Sequence, residues 1–474
     1  MTVQYVRSPQ TTGNLHNAKQ QYKKVCQLKR RQASQNDIDR NLRLLDSNHN
    51  AIWGIVRRNK GFSPAPIPSN SWEDHFENLF LAPSVKMPSN YELANQHDYC
   101  YGITNPEPFQ TTISMSEIVN AIALSKNRKA PGLDGIRTEC LKHHIAVLLP
   151  RLYNFFNFCY VNAVAPEAWK TTRLISLYKG KGSVNDPNSY RGISLMSLIY
   201  KTFTSILHSR LSNWAETNRK LPDSQHGFRT NHSTITAVQL LMSKIQNGVA
   251  QEKRYHVVFV DFQKAFDCIN RTLLLDKLLK LGVDYHYVRL LFSLLNETTI
   301  RVSMGDYMTE QICQLKGMPQ GDRLSPLLFA LFISDLSPHL ETSDCDVLFY
   351  ADDLAIGSSH LKDLQHAMYL LAEYCEVNSL VVNIGKTEMM KFRNGGGISE
   401  SEKLYYNNKT LKYCSSFCYL GIKMTPKLSP IHHFQQNLTK CKGATVALFA
   451  DNLFKSVQLP IALKLYKSTI FYQN

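Results

Sequence analysis

Three aspartates stand at the ends of two apolar segments of the chain. Asp261 follows the mostly apolar, β-branched run Tyr255–Val260. Asp352 and Asp353 follow a second such run, Val347–Tyr350, and a further apolar run begins directly after them. An apolar strand, an acidic tip and another apolar strand predict a hairpin that displays carboxylates at its turn.

Such carboxylates suggest a particular chemistry. A carboxylate at the end of a buried strand costs free energy unless a cation neutralises it. Mg²⁺ suits sites made of carboxylates and phosphates, and two ions ~3.5–4 Å apart can hold the attacking and leaving oxygens of a phosphoryl transfer. The aspartates therefore predict a two-metal phosphoryl-transfer site. By itself, however, an Asp-Asp pair is more often a solvated turn.

The segments around these acids predict an α+β fold. From about Lys126 to Lys391, short β-rich runs alternate with amphipathic helices. Ser114-x-x-Glu117 predicts a capped helix start, and Trp72–Phe80 and Leu361–Cys375 predict further helices. The Asn394–Gly397 run predicts a flexible break.

Composition favours a packed protein with a polyanionic partner. The 474 residues are 43% hydrophobic, and the formal net charge is +16. No apolar run approaches the ~18–20 residues that span a bilayer, and the 11 scattered cysteines favour free thiols. Residues 1–60 hold 12 Lys and Arg against 3 Asp and Glu. We interpret them as a helical arm that grips nucleic-acid backbone; a solvated basic surface is the alternative.

Longer sequence strings occur in a characteristic order. They are Lys129-Ala130-Pro131-Gly132-Leu133-Asp134-Gly135-Ile136, Tyr190-Arg191-Gly192-Ile193-Ser194-Leu195, Gln225-His226-Gly227-Phe228-Arg229, Asp261-Phe262-Gln263-Lys264-Ala265-Phe266-Asp267, Gly317-Met318-Pro319-Gln320-Gly321-Asp322 and Tyr350-Ala351-Asp352-Asp353. Over roughly residues 115–425 the chain resembles the reverse transcriptase of non-LTR (LINE-type) retrotransposons.

The resemblance implies roles for the acids and for one aromatic residue. Asp261 and Asp352 match the metal-binding aspartates, and Asp353 matches the adjacent acid that is usually less directly coordinated. The implied cofactor is a pair of Mg²⁺ ions, with Mn²⁺ able to substitute. Phe266 matches the steric gate that excludes a 2′-hydroxyl; ordinary core packing is its alternative.

Further residues match positions that hold the incoming nucleotide. Lys179 and Arg191 resemble the cations that bind its triphosphate, and Lys181 competes with Lys179 because spacing does not separate them. Gln320 and Gly321 lie in the turn that would approach the nucleotide or template. The pair Asp322-Arg323 is more charged than the small residues common there in many relatives.

Two other matches concern the leaving group and the primer. Lys386 resembles the lysine proposed as general acid toward pyrophosphate, against the alternative of an ordinary surface lysine. Tyr419-Leu420-Gly421 resembles the primer-grip hairpin, whose glycine turn would press backbone against the primer end.

The implied architecture is a right-hand polymerase with fingers, palm and partial thumb. We expect a basic, mainly helical extension at 1–115, fingers and palm at 116–405, and the primer-grip hairpin and partial thumb at 406–474. The expected partners are an RNA template, a DNA primer or target DNA, and dNTPs, with no membrane.

The same resemblance implies a cellular location and raises the question of an endonuclease. Copying onto chromosomal DNA implies a nuclear and cytoplasmic location. The first ~115 residues look too short for the endonuclease that many such proteins carry, so a separate or missing endonuclease and a fragment of a longer protein are expected. Two other functions stay open: an inactive nucleic-acid-binding remnant, and an RNA-templated RNA polymerase, against which Phe266 argues.

Overall fold

The computed structural model describes residues 67–81, 109, 111–304, 307–393 and 402–429, with 435 and 439 as single positions. The elements below all lie in one compact unit, Pro64–Ser429. The basic segment 1–60, the Asn394–Gly397 break and the expected C-terminal thumb helix lie outside the described residues.

The described helices and strands alternate along the chain, which confirms the predicted α+β class. The helices are α1 Ser69–Phe80, α2 Met115–Leu124, α3 Thr138–His143, α4 Ile145–Asn162, α5 Leu198–Thr217, α6 Thr234–Glu252, α7 Ala265–Cys268, α8 Arg271–Leu281, α9 Tyr285–Leu295, α10 Leu324–Phe332, α11 Leu336–Glu341 and α12 Leu361–Val377. The strands are β1 Thr171–Tyr178, β2 Tyr190–Leu195, β3 Arg254–Val260, β4 Thr299–Met304, β5 Tyr307–Met308, β6 Ile312–Cys313, β7 Asp346–Tyr350, β8 Asp353–Ser358, β9 Glu388–Arg393, β10 Tyr405–Tyr406, β11 Lys409–Thr410, β12 Lys412–Tyr413, β13 Phe417–Tyr419 and β14 Ile422–Met424.

The first of two five-stranded sheets, which we call sheet A, has the order β2-β1-β4-β5, with β6 also paired to β4. β1 and β2 are antiparallel neighbours, whereas β1 and β4 run parallel. Helix α1 covers this sheet with Trp72, Phe76 and Phe80, which are at most 3% exposed. Their spacing of four residues places them on one helical stripe.

The second sheet, sheet B, has the order β12-β9-β3-β8-β7. Its central strand β3 is antiparallel to both β8 and β9. Six of the seven residues of β3 are buried, because helices pack on one face and both α6 and the β13–β14 hairpin pack on the other. On that second face Phe417 stacks on Phe259 with 4.1 Å between ring centroids.

Several local predictions are confirmed. Ser114 and Glu117 form the predicted capping box at the start of α2. The strand that precedes Asp261 and the hairpin that carries Asp352 and Asp353 also occur with bounds close to those expected. Helix α10 begins at Leu324, and Pro326 lies within its first turn, where a proline is tolerated. Across the part of the chain that the structure describes, no helix combines the length and apolarity that crossing a bilayer requires.

Candidate active site

Sheet B brings the three aspartates to one edge. Strands β7 and β8 form the predicted hairpin, closed by the pair Tyr350 and Asp353. Val260 of β3 pairs with Leu354 of β8 in an antiparallel register. Asp261 comes directly after Val260 and Asp353 directly before Leu354, so both lie at the same end of adjacent strands. The sheet register therefore assembles carboxylates that are about ninety residues apart in sequence.

The carboxylates affect one another electrostatically. Burial first, and then the charges of Asp352 and Asp261, together raise the pKa of Asp353 to about 6. Burial also raises the pKa of Asp352; Asp261 adds to this rise, and Arg191 opposes it. Like charges in a partly buried site disfavour ionisation unless cations enter. The site is therefore suited to bind positive charge.

A turn from Asn383 to Thr387 holds Asp261. The Asp261 carbonyl accepts from the Asn383 amide at 2.7 Å, and the Thr387 hydroxyl accepts from the Asp261 amide at 3.2 Å. Lys386 on this turn places its Nζ 3.4 Å from Asp261 Oδ2, while its side chain remains 71% exposed. The contact is a long ion pair without hydrogen-bond geometry, so Lys386 is free to move toward a ligand.

The donor set fits a divalent cation that also binds substrate. Asp261 Oδ2 is buried and accepts no hydrogen bond from any described residue. No three His, Cys, Asp or Glu side chains within the described ranges form a closed ligand cluster. Mg²⁺ is commonly bound by one or two carboxylates, with phosphates and water completing its shell. The aspartates match that mode of binding better than an all-protein cage.

Gln225 clamps the turn that carries Asp352. Its Oε1 accepts from the amides of Ala351 at 3.0 Å and Gly227 at 2.8 Å, and its Nε2 donates to the Ala351 carbonyl at 3.4 Å. Ala351 has a φ of +60°, which is unfavourable for a residue with a Cβ. A Cβ on Gly227 would lie 2.2 Å from the Ala351 nitrogen. The 225–227 segment thus supports a strained residue next to Asp352.

Phe266 lies on α7, close behind Asp261 in sequence. Its ring packs against Phe329 of α10, with 4.7 Å between centroids, and it is only partly buried. The Phe266 carbonyl accepts from the Met318 amide at 2.8 Å. The glycine-rich turn is therefore hydrogen-bonded to the helix that carries Phe266.

The turn from Gly317 to Gly321 also contacts sheet A. The Gln320 carbonyl accepts from the Ser194 amide at 2.8 Å. Gly321 has a φ of +121°, and a Cβ there would lie 2.9 Å from the Ser194 carbonyl oxygen. Glycine is required at this position for both its backbone conformation and the close approach of β2.

Within this turn Gln320 and Asp322 bind other protein groups. Gln320 Nε2 donates to Asp267 Oδ1 at 2.8 Å. Burial raises the pKa of Asp267 to about 6, which that hydrogen bond opposes. Asp322 is buried and accepts from Thr204 at 2.7 Å and from Tyr200 at 3.2 Å. Of the charged pair Asp322-Arg323, the acidic residue therefore lies in the core and the arginine is exposed.

Sheet A contributes a cluster of cations. Lys179 follows β1, and its Nζ donates to the Asn188 carbonyl at 2.8 Å. Burial lowers the pKa of Lys179, and the charges of Lys264, Arg191 and Lys386 lower it further. Lys181 is exposed between two glycines of the same loop. The structure thus brings Lys179, Arg191 and Lys386 into electrostatic contact.

The 419–421 segment forms a tight hairpin turn between β13 and β14. Leu420 and Gly421 have φ values of +48° and +86°, as a two-residue type I′ turn requires. Burial raises the pKa of the Tyr419 hydroxyl, and Asp353 raises it further. Nothing lies within 4 Å of a Cβ placed on Gly421. The turn is therefore open at Gly421, and Tyr419, which precedes the turn, lies near Asp353.

Sequence reasoning gave no role to helix α1 or to Gln225. The Trp72, Phe76 and Phe80 stripe was visible but could not be assigned to a sheet. His75 on the same helix has its pKa lowered to about 4, first by burial and then by Lys264 and Lys179, with Asp186 opposing. Helix α1 therefore borders the cation cluster.

Comparison of the sequence with known proteins shows which family and which relatives the chain is similar to. The reverse transcriptase (RNA-dependent DNA polymerase) family matches residues 179–424. A probable RNA-directed DNA polymerase from transposon BS of Drosophila melanogaster is 27% identical over 79% of this chain and 42% of its own length. The RNA-directed DNA polymerase from mobile element jockey of the same species is 27% identical over 71% of the chain and 38% of its own length.

A third relative is the retrovirus-related Pol polyprotein from type-1 retrotransposable element R2 of Popillia japonica. It is 28% identical over 57% of the chain and 38% of its own length. The chain thus spans about two fifths of the length of these relatives, and they confirm the predicted resemblance to non-LTR retrotransposon polymerases. Because the family match covers more than half of the sequence, this chain belongs to the reverse transcriptase family.

Proposed function

We propose that this chain extends a DNA 3′ end on an RNA template, with dNTPs as substrates. The observation that carries the proposal is the edge of sheet B, where Asp261, Asp352 and Asp353 converge. Their mutual repulsion favours binding of cations together with phosphates. Asp261 Oδ2 supports this, because it is buried, accepts no hydrogen bond from the described residues and lies 3.4 Å from Lys386 Nζ. Family membership supports the same reaction.

Asp261 and Asp352 would hold two Mg²⁺ ions, with Asp353 as the less direct ligand and Mn²⁺ as a substitute. Bound there, the ions would lower the pKa of the primer 3′-hydroxyl and stabilise charge on the leaving pyrophosphate. Gln225 keeps the turn of Asp352 in place, and the Asn383–Thr387 turn keeps Asp261 in place.

The cation cluster is proposed to bind the triphosphate. Arg191 offers a planar fork of donors to phosphate oxygens, and Lys179 supplies a point charge. The electrostatic contact of Lys179 with Arg191 and Lys386 favours it over Lys181 for this role. Lys386, 3.4 Å from Asp261 and mostly exposed, is placed suitably to donate a proton to pyrophosphate.

Three other elements are proposed to position the sugar, the template and the primer. The partly exposed ring of Phe266 would exclude a 2′-hydroxyl. Gln320 and Gly321 would lie against the nucleotide or template, with Gln320 exchanging its bond to Asp267 for one to substrate. The Tyr419-Leu420-Gly421 turn would support the primer end.

In this proposal sheet B belongs to the palm and sheet A to the fingers. The boundaries 1–115, 116–405 and 406–474 remain our proposed division into extension, fingers with palm, and hairpin with partial thumb. A nuclear and cytoplasmic location follows from copying onto chromosomal DNA.

Primer extension tests the activity. The full chain is given an RNA template with an annealed DNA primer, dNTPs and Mg²⁺, and products are resolved by length. We expect extension by the wild type and loss of at least ~100-fold in rate for Asp352→Asn, which keeps the side-chain shape but removes a charged ligand. EDTA should abolish extension, and excess Mg²⁺ should restore it.

Asp335→Asn is the matched control, because Asp335 pairs with Lys277 and is not one of the proposed site residues. It should extend primers at close to the wild-type rate. Absence of extension by a folded wild-type protein that still binds primer–template would instead indicate an inactive nucleic-acid-binding remnant.

A further inference from the structure

The Lys129–Ile136 loop carries a distinctive motif to which the proposed reaction gives no role. The loop borders a cavity of about 140 Å³, which we call the lysine cavity because Lys126, Lys129 and Lys201 line it. A single water needs about 10–15 Å³ on this measure, so the cavity has room for a phosphate group with several waters.

The loop is fixed onto the junction between β2 and α5. A Cβ on Gly132 would lie 2.6 Å from both the Met196 carbonyl carbon and the Ser197 nitrogen. The Gly135 amide donates to the Gly132 carbonyl at 3.2 Å, and Asp134 Oδ1 accepts from the Ile136 amide at 3.1 Å. The cavity wall is therefore defined by close backbone packing and a closed turn.

The charged side chains that line the lysine cavity are all positive. Among the described residues that line it, none is acidic. Burial lowers the pKa of Lys201; Asp322 opposes this change and Lys129 adds to it. Asp322 itself is buried and already accepts from Tyr200 and Thr204. No carboxylate therefore lines the cavity, although Asp322 interacts with Lys201 from outside the lining.

The cavity shares a wall with the glycine-rich turn. Met196 lines the cavity, and its Cε lies 3.9 Å from the point that a Cβ on Gly321 would occupy. The cations assigned to the triphosphate form a different group, since Lys179 interacts with Arg191 and Lys386, whereas Lys201 interacts with Lys129.

We propose that the lysine cavity binds a backbone phosphate of the template RNA strand, close to the base that is being copied. This proposal rests on the proposed polymerase function, because it takes the glycine-rich turn as the place where template and nucleotide meet. A continuous strand at that turn carries phosphates at regular spacing. One of them can therefore enter the neighbouring cavity while the triphosphate occupies the Lys179 group.

The test is the salt dependence of RNA binding by the full chain, measured without dNTPs and without Mg²⁺. Labelled single-stranded RNA is titrated at several NaCl concentrations, and the slope of log affinity against log salt is compared between variants. Lys126→Gln with Lys129→Gln changes two exposed side chains and should leave folding intact. We expect the slope to fall by about 0.7 to 1 and the affinity at ~0.1 M salt to fall roughly fivefold.

Lys201→Gln should produce the same change, and Lys201→Arg should retain the wild-type slope. Lys280→Gln is the matched control, because Lys280 is exposed and pairs with Asp276 on α8. Its slope should equal that of the wild type. A wild-type slope in both cavity variants would overturn the proposal.

A second arm separates template phosphate from a free anion. Thermal unfolding is followed in inorganic phosphate and in chloride at equal ionic strength. Stabilisation by phosphate that Lys129→Gln removes, together with an unchanged RNA slope, would assign the cavity to a free anion and overturn the template assignment. Asp352→Asn should keep the RNA slope while losing extension, so failure of the polymerase function and failure of this contact give different results.

Discussion

The Phe266 side chain is packed on one side and partly exposed on the other. Its ring packs on Phe329 in the core. Phe266→Ala should lower the preference for dNTPs over rNTPs by roughly 10- to 100-fold, since a pocket that distinguishes small groups sterically contributes ~1–3 kcal/mol. Phe266→Tyr retains the ring and should retain the preference. The ratio of kcat/KM for dNTP and rNTP measures both, and an unchanged ratio in Phe266→Ala would remove Phe266 from this role.

In the proposed reaction Gln225 would act only indirectly, by holding Ala351 in position. Gln225→Leu removes three hydrogen bonds and leaves buried amides without acceptors, at a cost of ~1–3 kcal/mol each. We expect kcat to fall at least ~10-fold while KM for dNTP changes little, because the carboxylates move and the cation cluster does not. Gln365→Leu, which removes a solvent-exposed hydrogen bond between α12 and Tyr405, is the control. An equal fall in both variants would contradict the positioning role.

Asp267 makes stability depend on pH. Its folded pKa of about 6 exceeds the ordinary value of ~3.9. The folded carboxyl therefore keeps its proton to higher pH than the unfolded one, and the free energy of unfolding falls as pH rises from about 4 to about 6. Asp267→Asn should remove up to ~2–3 kcal/mol of this fall. Denaturant unfolding at pH 4 and pH 7 measures it; equal pH dependence in both proteins would argue against a raised pKa.

At the scale of elements, helix α1 packs on sheet A beside the strand that carries Arg191. Trp72 is 1% exposed, stacks on Phe76 and meets Tyr190 edge-on at 5.1 Å, next to Arg191. Trp72→Ala should reduce stability by ~3–5 kcal/mol and raise KM for dNTP, because β2 carries Arg191. Asp74→Ala, on the exposed side of α1, should do neither. Thermal unfolding and steady-state kinetics check both effects.

The elements differ in how far sequence predicts them. The β3 run, the Asp352 hairpin and the α2 capping box follow from apolar runs and local hydrogen bonding, and the motifs led to the family. The order of sheet B depends on pairings between segments about a hundred residues apart, which no local pattern encodes. The Gln225 clamp has the same cause, since its partner Ala351 is 126 residues away. The residue roles taken from the resemblance stay predictions.

At the scale of the whole molecule, charge is distributed unevenly. Of the net charge of +16, the first 60 residues contribute more than half through 12 Lys and Arg against 3 Asp and Glu. Deleting residues 1–60 should weaken RNA binding and flatten its salt dependence by several units of slope. The measurement is RNA affinity over a range of NaCl concentrations; an unchanged slope would show that the segment is merely solvated.

Gly227 has a consequence for how copies of this gene diverge. A Cβ at this position would lie 2.2 Å from the Ala351 nitrogen. Every missense change in a glycine codon introduces a Cβ, so a missense substitution at either of its first two bases displaces the turn that carries Asp352 or is compensated by a change in that turn. In a gene copy released from selection, such a substitution distinguishes a disabled polymerase from an intact one before any frameshift or stop codon arises.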